Sequence, residues 1–253
     1  MAKLRTLVLF FAVSAAAHAD WKVLSLESEP GRAGIEHRHI VVENMAAGQR
    51  ADVDLAVFSA GSCTLRLIDN RDGQILAGIM TREKCACGVN GGYFDANFEA
   101  IGLRIVNDQT IAPLRRARLI TGVLLASSRG VQIVRARGFS PRQKIAAAIQ
   151  CGPYLVDGSR RVPGLNALQR ARRTFAATGT NGRALLAVCS EISLADLATV
   201  LATTAIAGDL KIERALNFDG GSSSAFWFAR ENGSVFSIPE RKPVRDFVAL
   251  VPK

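Results

Sequence analysis

Asn217-Phe218-Asp219-Gly220-Gly221-Ser222-Ser223-Ser224 runs a carboxylate straight into two glycines and three hydroxyls. Its apolar lead-in, Ala215 and Leu216, reads as the end of a strand opening into a tight turn, where glycine admits positive φ and close backbone approach. Amides bared in such a turn can hold an oxyanion. A second stretch of the same grammar lies upstream, Cys87-Gly88-Val89-Asn90-Gly91-Gly92-Tyr93-Phe94-Asp95. Either alone is also the ordinary signal of a hairpin turn. Two in one chain point to one site assembled from two strand ends.

The same strand-and-turn alternation extends in both directions. Short apolar runs at Val23–Leu26, Ile35–Val42, Val53–Phe58 and Leu65–Ile68 have strand length and composition, and Pro30-Gly31-Arg32-Ala33-Gly34 reads as a loop. Strand signals continue at Ile101–Val106, Leu119–Leu125, Val131–Val134, Ile145–Ile149, Phe175–Thr178 and Ala184–Cys189. One clear helix interrupts them. Ser193 is its expected N-cap, with Asp196 three positions on in the capping-box role, and Leu194, Leu197, Val200 and Leu201 form one apolar face running to about Ile206. The expected fold class is α+β, a mixed, mostly antiparallel sheet core with few helices. No repeat, linker or low-complexity tract appears, so residues 20–253 are expected to form a single domain.

Lys3 and Arg5, the apolar run Leu7–Val13 and the small residues ending Ala17-His18-Ala19 have the layout of a secretory signal peptide over residues 1–19. The apolar run is too short for a comfortable membrane span. An exported, periplasmic or secreted protein with no transmembrane anchor is therefore expected. Loss of the two basic residues brings the formal charge of +10 to +8. Arginine crowds the middle of the chain, at 115, 116, 118, 129, 135, 137, 142, 160, 161, 170, 172 and 173, which suits an anionic partner. Nucleic acid is the poorer partner, because aromatic residues are scarce and no binding module is recognisable. The five cysteines are an odd set for an oxidising compartment. Cys63 with Cys85 or Cys87 is the expected disulfide, if one forms, and Cys151 and Cys189 read as buried thiols.

Other chemistries find little support. His37 and His39, the histidines beyond residue 19, lie two apart and share a strand face without further ligands at metal spacing, so no metal is expected. There is no nucleophile elbow, P-loop or dinucleotide fingerprint, and no cofactor is expected. Among carboxylates, Asp219 is the first catalytic candidate, because a strand-end turn presents it unobstructed. Asp95 is the second and Glu191, between a strand and the helix cap, the third. Each carries the plainer alternative of capping its own loop.

With Gln150-Cys151-Gly152-Pro153-Tyr154-Leu155-Val156-Asp157-Gly158 and Arg172-Arg173-Thr174, the two glycine turns form four motifs whose order and wording resemble the phosphodiester glycosidase family, over about Ala86 to Val251. The resemblance implies an exported hydrolase that releases a sugar from a glycosyl-1-phosphodiester, a phosphorylated glycan or sugar phosphodiester being its substrate. It also aligns the Arg173-Thr174 pair with the family's pattern, making Arg173 a phosphate clamp, with Arg172 turned to solvent. Such hydrolysis needs a carboxylate at the anomeric carbon and charge neutralisation at the phosphate. Asn90 is suited to donate to a sugar hydroxyl or phosphate oxygen. Gly91, Gly92, Gly220 and Gly221 act by shape and N–H donation, and Gly152-Pro153 shapes the pocket wall. The chain departs from the family at Ser222, where a third glycine is usual and a Cβ would narrow the turn. The alternative is a non-catalytic envelope protein that binds phosphorylated glycans or anionic polymers through the same residues.

Overall fold

The structure, a computed structural model, describes residues 21–141 and 144–253. The expected leader at residues 1–19, like Arg142 of the basic stretch, lies outside the described residues. Among those described, the strands assemble into one sheet of eight and two of five. The large sheet has the spatial order Trp21–Pro30, Glu36–Asn44, Gln49–Ser59, Arg183–Ile192, Ala171–Gly179, Ile212–Asn217, Tyr154–Asp157, Arg160–Arg161. A middle sheet runs Gln109–Ala112, Arg104–Val106, Ile145–Cys151, Gly122–Ser127, Gly130–Arg135. The third runs Val235–Ile238, Phe226–Ala229, Cys87–Asn90, Asp246–Pro252, Cys63–Asp69.

Period-two alternation sorts these strands between two cores. In the large sheet, Ala56, Phe58, Ala176, Leu186 and Leu216 face inward to the other sheets, meeting Val89, Leu124, Ile149, Phe226 and Val248. Leu55, Val57, Phe175, Ala177 and Leu185 face the other way, onto a helix. Strand makes up 51% of the described residues and helix 14%, so the fold is sheet-rich and the α+β description fits only loosely. Every described strand pairing is antiparallel, so the mixed pairing allowed for does not occur.

Two α-helices are described, α1 (Leu76–Arg82) and α2 (Leu194–Thr203). The expected helix is α2. Ser193 Oγ accepts the Asp196 N–H at 3.0 Å and donates to Asp196 Oδ2 at 2.6 Å. It stops three residues short of Ile206 because Thr204, β-branched, is already extended, although Ile206 and Ala207 bury into the same core. The sequence gives α1 no cap. Its Leu76 N–H is satisfied instead from far along the chain, by Glu240 Oε1 at 2.7 Å.

No disulfide forms: all five cysteines are buried free thiols. Cys63 pairs in register with Pro252 and Cys87 with Leu250, on opposite sides of the strand Asp246–Pro252. Two inter-strand spacings, about 9–10 Å, exceed the reach of a disulfide. Burial raises every thiol pKa, that of Cys85 to about 11.

Candidate active site

Three strand ends, one from each sheet, arrive together: Asn217, Asn90 and Cys151. Asn90 is fully buried and ties them. Its Nδ2 donates to the Asp219 carbonyl at 2.8 Å, while Oδ1 accepts the Thr174 hydroxyl at 2.6 Å and the Ala225 N–H at 3.0 Å. The Asp219 N–H in turn donates to the Gly91 carbonyl at 3.2 Å. The two glycine turns, more than a hundred residues apart in sequence, therefore touch. Tyr93 closes the third side, its hydroxyl donating to the Gly152 carbonyl at 2.7 Å and accepting from Asn217 Nδ2 at 3.1 Å. Gly152 and Pro153 are joined by a cis peptide bond.

Beneath the upstream turn lies a buried ion pair that the motif reading missed. Arg104 Nε donates to Asp246 Oδ2 at 2.6 Å, with both side chains no more than 2% exposed. Asp246 Oδ1 accepts the Gly92 N–H at 2.8 Å, and its carbonyl accepts that of Gly91 at 2.8 Å. The guanidinium also reaches the carbonyls of Leu103, Gln150 and Tyr93. Glycine is required here by space: a Cβ on Gly91 would lie 1.8 Å from Asp246 Oδ1, and one on Gly92 would lie 2.2 Å from Arg104 Nη2. The signal was a lone arginine within the apolar run Ile101–Val106.

Asp219 is half-buried, and burial raises its pKa above the usual carboxylate value. Ser223, Lys242 and the Gly220 amide oppose that rise, and Asp246 adds to it. The Gly220 N–H donates to Asp219 Oδ1 at 2.9 Å. Ser223 Oγ lies close enough to lower the Asp219 pKa but outside hydrogen-bonding geometry. Together with Ser224 Oγ and Asn217 Oδ1 it is a buried polar atom without a hydrogen-bond partner among the described residues. Lys242, exposed, sits over the Phe94 ring at 5.1 Å while acting on Asp219, so it bridges the two turns. It lies in the polar run Glu240-Arg241-Lys242, which carries no motif.

Arg173 is buried beside the turn, its Cδ 3.9 Å from where a Gly220 Cβ would stand. Nε donates to the Ile192 carbonyl at 3.0 Å and Nη2 to that of Gln169 at 2.7 Å. Burial lowers its pKa, and no carboxylate lies within ion-pair distance among the described residues. Arg172 does not point freely to solvent. A register shift between Ala171 and Arg173 breaks the alternation, and Arg172 Nη2 donates to the Ser224 and Pro239 carbonyls. Gly221 has φ of 64°, whereas Ser222 has no positive φ and is exposed, so its Cβ neither strains nor fills the turn. Thr174 spends its hydroxyl on Asn90.

Asp95 and Glu191 stand apart from this cluster. Asp95 is exposed, and its Oδ1 accepts the amides of Asn97 and Glu99, both at 2.9 Å. Glu191, also exposed, lines a neighbouring cleft with Arg172 and Arg241. His37 and His39 do share a face. Both hydrogen-bond Asp54 Oδ1, at 3.0 and 3.1 Å, in a separate cavity. No cluster of three or more potential metal ligands occurs among the described residues. Among the described residues no helix is long and apolar enough to cross a membrane.

The sequence model of the phosphodiester glycosidase family matches residues 83–251. No curated protein matches the chain. Among solved structures, it is similar to the zebrafish N-acetylglucosamine-1-phosphodiester alpha-N-acetylglucosaminidase catalytic domain auto-inhibited by its pro-peptide. The identity is 13% and the TM-score 0.63, over 94% of this chain and 85% of that one. A hypothetical protein from Synechocystis aligns at 15% identity and a TM-score of 0.59, over 92% of this chain and 68% of that one. A Burkholderia pseudomallei protein, by name a candidate for export, aligns at 13% and 0.57, over 81% and 75%. At such identities the likeness establishes the fold.

Proposed function

The chain belongs to the phosphodiester glycosidase family, and on that premise we propose that it is an exported hydrolase releasing a sugar from a glycosyl-1-phosphodiester. The observation that carries the reading is the environment of Asp219, a half-buried carboxyl with raised pKa on which Lys242 acts and beside whose Gly220 turn Arg173 lies, neither cation being ion-paired with it. A phosphodiester brings one negative charge of its own. The two cations, neither paired with a carboxylate among the described residues, can neutralise that charge, while Asp219 serves the anomeric carbon.

In the proposed reaction the bond between the anomeric carbon and the bridging oxygen breaks, and that oxygen leaves with the phosphate as a monoester. Water supplies the oxygen that joins the sugar. Two carboxyls are the rule in glycoside hydrolysis because a poor leaving group needs an acid. A phosphate monoester is stable as an anion and needs charge stabilisation instead, so one carboxylate suffices. Asp219, with a pKa raised toward the operating pH, is suited to take the proton from water. Its second oxygen is held by Gly220 N–H. Asn90 and Thr174 act as positioning residues, since their polar groups are committed to each other and to the Asp219 carbonyl. Asp95 and Glu191 are subsidiary in this scheme.

Export is part of the same proposal and rests on the leader-like residues 1–19. The test is incubation with a panel of methyl sugar-1-phosphodiesters, with free sugar and phosphomonoester measured separately. The reading expects both products in equal amounts from at least one sugar, and their loss in Asp219→Asn with binding retained. Binding without release in wild type, and no effect of Asp219→Asn, would replace the hydrolase with a phosphoglycan-binding protein.

A further inference from the structure

Beside the Asp219 turn opens a second cleft, of about 250 Å³, lined by Asp52, Asp54, Arg172, Ser190, Glu191 and Arg241. Both arginines are tied to the turn itself. The Arg172 guanidinium donates to the Ser224 carbonyl, and the Arg241 backbone N–H donates to that of Ser222 at 2.7 Å. Lys242 faces Asp219 and Phe94, while its neighbour Arg241 faces Arg172. Consecutive cations thus serve adjoining compartments on either side of Ser222.

Burial and the nearby Arg241 both lower the Arg172 pKa, with Glu240 opposing them from beyond ion-pair distance. Two guanidiniums held together, with no carboxylate within 4 Å of either among the described residues, repel one another, an arrangement that an anion between them relieves. The opposite wall is acidic but differently employed. Asp54 is committed to His37 and His39, leaving Asp52 and Glu191 as acceptors toward the cleft. Carboxylates facing guanidiniums across such a gap match a sugar that carries a phosphate: hydroxyls donate to the acids, and phosphate oxygens accept from the arginines.

Resting on the hydrolase reading, we propose that this cleft is a subsite for a second phosphate-bearing sugar on the leaving-group side. The natural substrate would then be an oligomeric or polymeric phosphoglycan rather than an isolated sugar phosphodiester. A single anion needs only the Asp219 compartment. The Arg172 and Arg241 guanidiniums add a second cationic surface, suited to a leaving group that carries its own charge.

Two measurements on the full chain test this. Calorimetric binding of glucose 6-phosphate needs no turnover, so it reads the subsite even if the hydrolase reading fails. Wild type should bind it well above glucose, with Arg241→Gln weakening it roughly tenfold, the scale of one lost charged hydrogen bond, and Lys242→Ala having a smaller effect. The Arg241 side chain is exposed and makes no hydrogen bond among the described residues, so Arg241→Gln should fold normally. In the kinetic arm, a sugar phosphodiester with a 2-phosphoethyl aglycone should show roughly tenfold lower KM than its methyl counterpart, and Arg241→Gln should erase that preference. No binding of glucose 6-phosphate, affinity unmoved by Arg241→Gln, or equal KM for the two aglycones would overturn the subsite.

Discussion

Asp219 sits where an ionised carboxylate is least welcome, and two predictions follow from the sign of its pKa shift. Because burial raises its folded-state pKa, the native chain holds this proton more tightly than the unfolded one. Unfolding free energy then falls as pH rises from the ordinary aspartate value through the raised one, and the deficit is complete above it. Asp219→Asn should therefore melt higher than wild type near neutral pH, with the gain vanishing in acid, while turnover falls by orders of magnitude. An unchanged melting temperature at pH 7 would contradict the burial argument. The acidic limb of kcat/KM should lie above the pH expected of an unperturbed aspartate. Lys242 lowers the Asp219 pKa, so Lys242→Ala should move that limb to still higher pH; a shift in the opposite direction would remove Lys242 from the site. Arg173→Ala should weaken phosphodiesters and phosphate products alike by about 1.5–3 kcal/mol, leaving neutral sugars nearly untouched in equilibrium binding.

At the level of elements, the upstream turn is as rigid as the ion pair beneath it. Arg104→Met leaves the Asp246 carboxylate buried without its cation and should cost about 3–5 kcal/mol in denaturant unfolding. A loss below about 1 kcal/mol would mean that the pair does not support the turn. The strands were legible because period-two runs of Val, Ile, Leu and Phe report burial directly, and α2 because Ser193, Asp196 and its apolar face agree. Helix α1 was not legible. It is short, contains Gly78, and donates its Leu76 N–H to Glu240, which no local pattern can announce. The site divides the same way. Asp219 and Asn90 stand out by turn chemistry, but Arg104, Asp246, Tyr93 and Lys242 join them only through strand pairing and packing. Their identities alone, an arginine or a lysine in ordinary company, mark nothing.

For the whole molecule, the sheet arrangement explains why Cys63 and Cys87 do not pair. The strand carrying Cys63 and the strand carrying Cys87 flank a common neighbour, so sequence proximity did not become contact. A thiol reagent should find none of the five cysteines quickly in the native protein and all five after denaturation; a count of three would restore a disulfide. The same arrangement brings one strand end from each sheet to Asn217, Asn90 and Cys151, and the proposed chemistry depends on that junction. Bond position is the property that separates a glycosidase from a phosphoesterase acting on the same compound. Hydrolysis of a sugar-1-phosphodiester in ¹⁸O-labelled water, followed by mass spectrometry of both products, reads it directly. Attack at the anomeric carbon predicts the label in the released sugar and an unlabelled phosphomonoester. Label in the phosphomonoester, or no hydrolysis of any sugar phosphodiester, would contradict the assignment of Asp219 to the anomeric carbon.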